Sequence, residues 1–136
     1  MELVEHMLLA RKIIRRLKKE GAVIHRYDAH SSNSIYIKID AGICGSIRIS
    51  DHMGKRKLNY RYNLLTNIKE FDVIKEPYVR YFHPAEDVDI MINNIIAYRN
   101  EKIAEHYGKF FYGNAVRAKA FKSRKQPGFW QRAVIV

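Results

Sequence analysis

The strongest constraint on the fold is a repeated two-residue alternation of apolar and polar side chains. In Ser34–Asp40, Ile35, Ile37 and Ile39 alternate with Tyr36, Lys38 and Asp40. Ser46–Ser50 repeats the pattern, with Ile47 and Ile49 set against Ser46, Arg48 and Ser50. Leu58–Leu64 does so again, with Leu58, Tyr60, Tyr62 and Leu64 against Asn59, Arg61 and Asn63. Successive strand side chains point to opposite faces, so each segment owns one apolar and one polar face. This predicts an antiparallel sheet packed on one side and wet on the other. Val23–Tyr27 is a weaker strand, and Tyr78–Phe82, after Pro77, a further one. Asp40–Gly42 and Asp51–Lys55, around Gly54, read as turns.

Helical periodicity flanks these strands. Leu3, Met7, Ala10, Ile14 and Leu17 form a stripe through residues 2–20, and Gly21 suits a left-handed C-cap. Pro84, followed by Glu86, Asp87 and Asp89, marks the start of a second helix, where the helix dipole favours acids. Its stripe runs through Val88, Met91, Ile92, Ile95, Ile96, Ile103 and Tyr107 to Gly108. Asn114–Lys122 predicts a short third helix with Asn114 as N-cap, and Phe129–Val136 a last strand. The predicted fold is α+β: an antiparallel sheet of four or five strands, covered on one face by an N-terminal and a C-terminal helix. Residues 1–108 form the body, and 109–136 a basic, aromatic-rich segment docked on it. The 136 residues suit one domain.

Charge is the main functional signal. The chain holds 25 Lys and Arg against 14 Asp and Glu. Residues 1–20 carry a net of +3, residues 21–105 only +1, and residues 106–136 carry seven cations and no acid. Such an excess favours an anionic partner, above all nucleic acid. The polar strand face offers Tyr36, Lys38, Arg48, Asn59, Arg61 and Asn63: cations for phosphate, amides and an aromatic for bases. The C-terminal segment interleaves Phe110, Phe111, Tyr112, Phe121, Phe129 and Trp130 with cations, and about half of those aromatics are expected to be core. The candidate binding residues are Arg11, Arg15 and Lys18 on the first helix; Lys38, Arg48 and Arg61 on the sheet; and Arg117, Lys119, Lys122, Arg124, Lys125 and Trp130.

Catalytic signals are weak. His25, Asp28 and His30 offer at most a partial metal set. Asp51-His52 with His83 could form an acid–base pair, though a turn cap and a strand end explain them as well. Cys44 reads as a structural thiol, and one cysteine excludes an internal disulfide. A Gly-rich phosphate loop, an HExxH motif and a nucleophile elbow are all missing. A non-enzymatic protein without metal or cofactor is therefore expected. With no transmembrane run and no signal peptide, it reads as a cytoplasmic protein of its bacterial host.

Ser34-Ile-Tyr-Ile-Lys-Ile-Asp40 followed by Ser46-Ile-Arg-Ile-Ser-Asp-His52 resembles small proteins encoded by phages and prophages of Gram-positive bacteria. Tyr60-Arg-Tyr-Asn63, Tyr81-Phe-His-Pro84 and Tyr107-Gly108 are similar to the rest of that pattern. Some members are anti-CRISPR proteins acting on type II effector nucleases. The resemblance implies a phage accessory protein, most concretely an inhibitor of a guide-RNA-loaded, Cas9-type effector or its nucleic acid. A stand-alone DNA- or RNA-binding regulator and a small nuclease or toxin remain as alternatives.

Overall fold

The computed structural model describes residues 2–29, 34–51, 60–66, 79–83 and 85–136. Helix α1 spans Glu2–Lys19. It ends where Gly21 turns to φ +91°, with the Ala22 N–H donating to Leu17 O and the Gly21 N–H to Lys18 O. That is a Schellman closure, and it needs the glycine. Strands β1 (Ile24–Asp28) and β2 (Ile35–Ile39) lead into a 3-10 turn at Asp40–Gly42. Then come β3 (Ser46–Asp51), β4 (Tyr60–Thr66), β5 (Val79–His83), a 3-10 turn at Ala85–Asp87, and helices α2 (Val88–Glu105) and α3 (Lys109–Ser123). The short helix α4 (Phe129–Arg132) and strand β6 (Val134–Ile135) complete the order.

The fold is α+β, as the alternation predicts. The sheet order is β5-β4-β3-β2-β1-β6, and every neighbouring pair is antiparallel. β1 to β5 form a meander, and β6 returns to the outer edge of β1, pairing Ile135 with His25. This short return makes the strand count six. Ile35, Ile37, Ile39, Ile47 and Ile49 are buried with Ile24 against Ala10, Ile13, Ile14 and Leu17 of α1 and Met91, Ile92 and Ile95 of α2. One sheet face therefore carries the core, and the isoleucine alternation places it there. Tyr62 pairs with Ile49 and Leu64 with Ile47, so the β4 register follows the same alternation. Among the described residues no helix is long and apolar enough to cross a membrane.

Four local expectations change. Asp40 is fully buried rather than on the wet face. The strand ends at Ile39, and the chain then turns through φ +52° at Asp40 and +57° at Ala41, which swings the carboxylate inward. Helix α3 begins at Lys109, so Asn114 lies inside it rather than capping it. Phe129–Arg132 is helical, and only Val134–Ile135 is strand. Tyr107 is exposed at φ +62°, because α2 has already closed when the Gly108 N–H reaches Ile103 O. His30, His52, Gly54, Leu58, Asn59, Pro77, Tyr78 and Pro84 lie outside the described residues.

Candidate nucleic-acid interface

The basic residues fall into three sets. The first lies on α1. Arg11, Arg15 and Lys18, spaced i, i+4 and i+7, share one side of the helix. They line an open groove of about 410 Å3 with Ile14, Arg26 of β1 and Val136. Among the described residues, no Asp or Glu lines this groove. Arg26 is already paired, its Nε lying 2.8 Å from Asp28 Oδ1. One position along α1 the cations serve packing instead. Lys12 Nζ lies 3.1 Å from Asp89 Oδ1, and Arg16 reaches both Asp89 and Asn93 of α2.

The second set lies where the Asp40–Gly45 turn meets α3. Lys38 alternates with the core isoleucines and so stands on the opposite sheet face from α1 and α2. Its ammonium sits 4.4 Å from the Trp130 ring centre and 4.9 Å from that of Phe129. α4 therefore covers part of the face expected to be open. Trp130 also meets the buried His25 ring edge-on, so it is half-buried and partly engaged rather than a free stacking platform. Lys119 of α3 lines the same cavity as Lys38 and Trp130. Arg48 sits farther along this face, over the Tyr36 ring at 5.7 Å, with Nε 3.4 Å from Ser34 Oγ. Arg61 is the β4 partner of Ser50.

The third set is the outer side of α3. Phe110, Asn114, Arg117, Phe121 and, just past the helix, Arg124 recur at helical spacing, and all are exposed. Arg117 donates to Asn114 Oδ1 at 2.5 Å, and the Arg124 guanidinium lies 4.1 Å from the Phe121 ring centre. Lys122 and Lys125 are also exposed. Of the six aromatics in this segment, Tyr112 is buried, Phe129 and Trp130 are half-buried, and Phe110, Phe111 and Phe121 are exposed. The expected division into core and surface aromatics therefore appears residue by residue.

A buried network fixes the turn beneath the second set. Asp40 Oδ2 accepts from Arg99 Nε at 2.6 Å and from Tyr112 Oη at 2.5 Å. Asp40 Oδ1 accepts from the Val23 N–H, and the Asp40 N–H donates back to Val23 O. Arg99 Nη1 also donates to Glu20 O, capping a carbonyl at the end of α1. One carboxylate thus ties the residue before β1, α2 and α3 to the turn. The Cys44 thiol lies 3.0 Å from Tyr112 Oη, and burial pushes its pKa up to about 12, so it is a poor nucleophile. Burial, and then the bond to Asp40, likewise raise Tyr112. Sequence reading missed Asp40, Arg99 and Tyr112 as a unit. Arg99 follows Ile92 and Ile95 on the α2 stripe, and that apolar neighbourhood was the available signal.

The histidine readings gain no geometry here. His25 and Asp28 stand three positions apart on β1 and therefore on opposite sheet faces. Among the described residues no group of three His, Cys, Asp or Glu could hold a metal ion. No protein-family model, no curated protein and no solved structure matches the chain, so its functional reading rests on these residues and their geometry.

Proposed function

We propose that the protein is a non-enzymatic phage accessory protein that binds a nucleic-acid-containing host complex, most concretely a guide-RNA-loaded, Cas9-type effector. The observation that carries this reading is the division of labour within α1. Lys12 and Arg16 both reach Asp89 of α2, whereas Arg11, Arg15 and Lys18 face a groove that, among the described residues, is lined by no acid. These three span about 10 Å of helix, a row of cations that suits successive phosphates of one strand. The exposed aromatic–arginine stripe of α3 supplies faces on which bases can stack. The effector is suggested by the resemblance of Ser34–Asp40 and Ser46–His52 to phage and prophage proteins. Occupying guide RNA or a charged channel would keep the target strand out.

A salt titration of binding to guide RNA, duplex DNA and guide-loaded effector tests the reading. Wild-type affinity should fall steeply with salt, and each phosphate contact removed should flatten the log–log slope by roughly 0.7–0.9. Exchanging Lys119, Lys122, Arg124 and Lys125 for Gln should weaken binding strongly with the fold intact. Exchanging Arg11, Arg15 and Lys18 should do so to a smaller degree. Wild-type affinity and slope in both variants would leave the cations as solubilising surface and make the partner a protein bound through another face. An effector inhibitor should favour the loaded effector over free nucleic acid; equal binding would indicate a stand-alone regulator, and degradation of the nucleic acid a nuclease.

A further inference from the structure

We infer that the cavity between the Asp40–Gly45 turn, the C-terminal end of α3 and Trp130 binds a phosphoryl oxyanion. The nucleic-acid reading bears only on where that phosphate comes from. The cavity has a volume of about 320 Å3, at the small end of ligand pockets. Lys38 and Lys119 bring two ammonium groups, Ser46 and Ser123 bring hydroxyls, Gln126 brings an amide, and Trp130 forms a wall. Among the described residues, no Asp or Glu lines it. Gly42, at φ +92°, lies close to the Lys119 ammonium: a Cβ there would stand 3.4 Å from Lys119 Nζ.

Two cations turned toward one cavity that no described carboxylate lines are a pair without a counter-ion among the described residues. The Trp130 and Phe129 rings attract the Lys38 ammonium, but they carry no net charge and cannot neutralise it. Burial and then the neighbouring Lys119 lower the Lys38 pKa, as expected of an uncompensated ammonium. A phosphate monoester dianion supplies two negative charges and several acceptor oxygens, matching two lysines and the neutral donors around them. A planar carboxylate would neutralise only one. The cavity lies on the sheet face opposite the α1 groove, so it is a second site rather than an extension of the first.

Trp130 is the single tryptophan and reports on the cavity directly. Its emission should change saturably with inorganic phosphate and with ribose 5-phosphate at constant ionic strength, and not with chloride. Lys119→Gln, at an exposed position, should weaken both responses about tenfold with unchanged melting. Oligonucleotides with a 5′-phosphate or a 5′-hydroxyl test the source: tighter binding of the former assigns a terminal phosphate, whereas equal binding would count against the dianion, since an internal phosphodiester carries a single charge. No saturable response to any of the four probes, or an undiminished response in Lys119→Gln, would overturn the inference. If the cavity stays silent while salt-dependent nucleic-acid binding persists, this site fails and the proposed function stands. A response to the two small phosphates without nucleic-acid binding would sink the proposed function and keep the site.

Discussion

The two sides of the Asp40–Gly45 turn treat positive charge in opposite ways. On the inner side, Arg99 is buried and meets a fully buried carboxylate at 2.6 Å, with Tyr112 completing the bonds. On the outer side, Lys38 and Lys119 share a cavity lined, among the described residues, by no acid. α3 serves both sides, sending Tyr112 inward and Lys119 outward. A compensated buried cation holds structure together, because removing its partner strands a charge. An uncompensated, accessible pair contributes little to stability and leaves its field for a ligand. The same contrast divides α1, where Lys12 and Arg16 are paired while Arg11, Arg15 and Lys18 line the groove.

The sharpest way to break this comparison is Asp40→Ala. It strands Arg99 and should cost about 3–5 kcal/mol in denaturant unfolding. Lys119→Gln, on the outer side of the same turn, should stay within about 0.5 kcal/mol of wild type. Equal effects would mean that the two sides do not differ in kind.

Tyr112→Phe comes next. It removes one donor from Asp40 without opening a cavity, so a loss of about 1–3 kcal/mol is expected. A neutral result would leave the carboxylate held by Arg99, the Val23 N–H and the Cys44 thiol.

The smallest expected effect is a pH dependence on the outer side. Burial, and then Lys38, hold the His25 pKa below its ordinary value near 6.5. The folded protein thus favours neutral His25, while the unfolded chain binds the proton more readily. His25 therefore contributes stability that is present above about pH 6.5 and lost as pH falls from there toward the folded pKa. Melting temperature should drop on acidification through that range, and by less in His25→Phe. Identical pH profiles would show that neither burial nor Lys38 perturbs His25.

The sheet and its core were legible because period-two patterning acts locally. Ile35, Ile37, Ile39, Ile47 and Ile49 can all be buried only if one face packs, and antiparallel pairing keeps that face continuous. Arg11, Arg15 and Lys18 were legible as one side of a helix for a similar reason. Asp40 was misread because alternation assumes that the strand continues; two successive positive φ angles end it and turn the carboxylate inward.

The sequence by itself determined the α+β order, the isoleucine face and the concentration of charge at the two ends of the chain, since spacing and composition are properties of the chain alone. The tertiary structure decided which charges are spent on packing. Asp40 and Arg99 are 59 positions apart, and Lys38 and Lys119 are 81 apart. Only folding brings a carboxylate to the first cation and leaves the second pair without one among the described residues. Whether a charge is neutralised depends on contacts made across the fold, and spacing along the chain does not encode them.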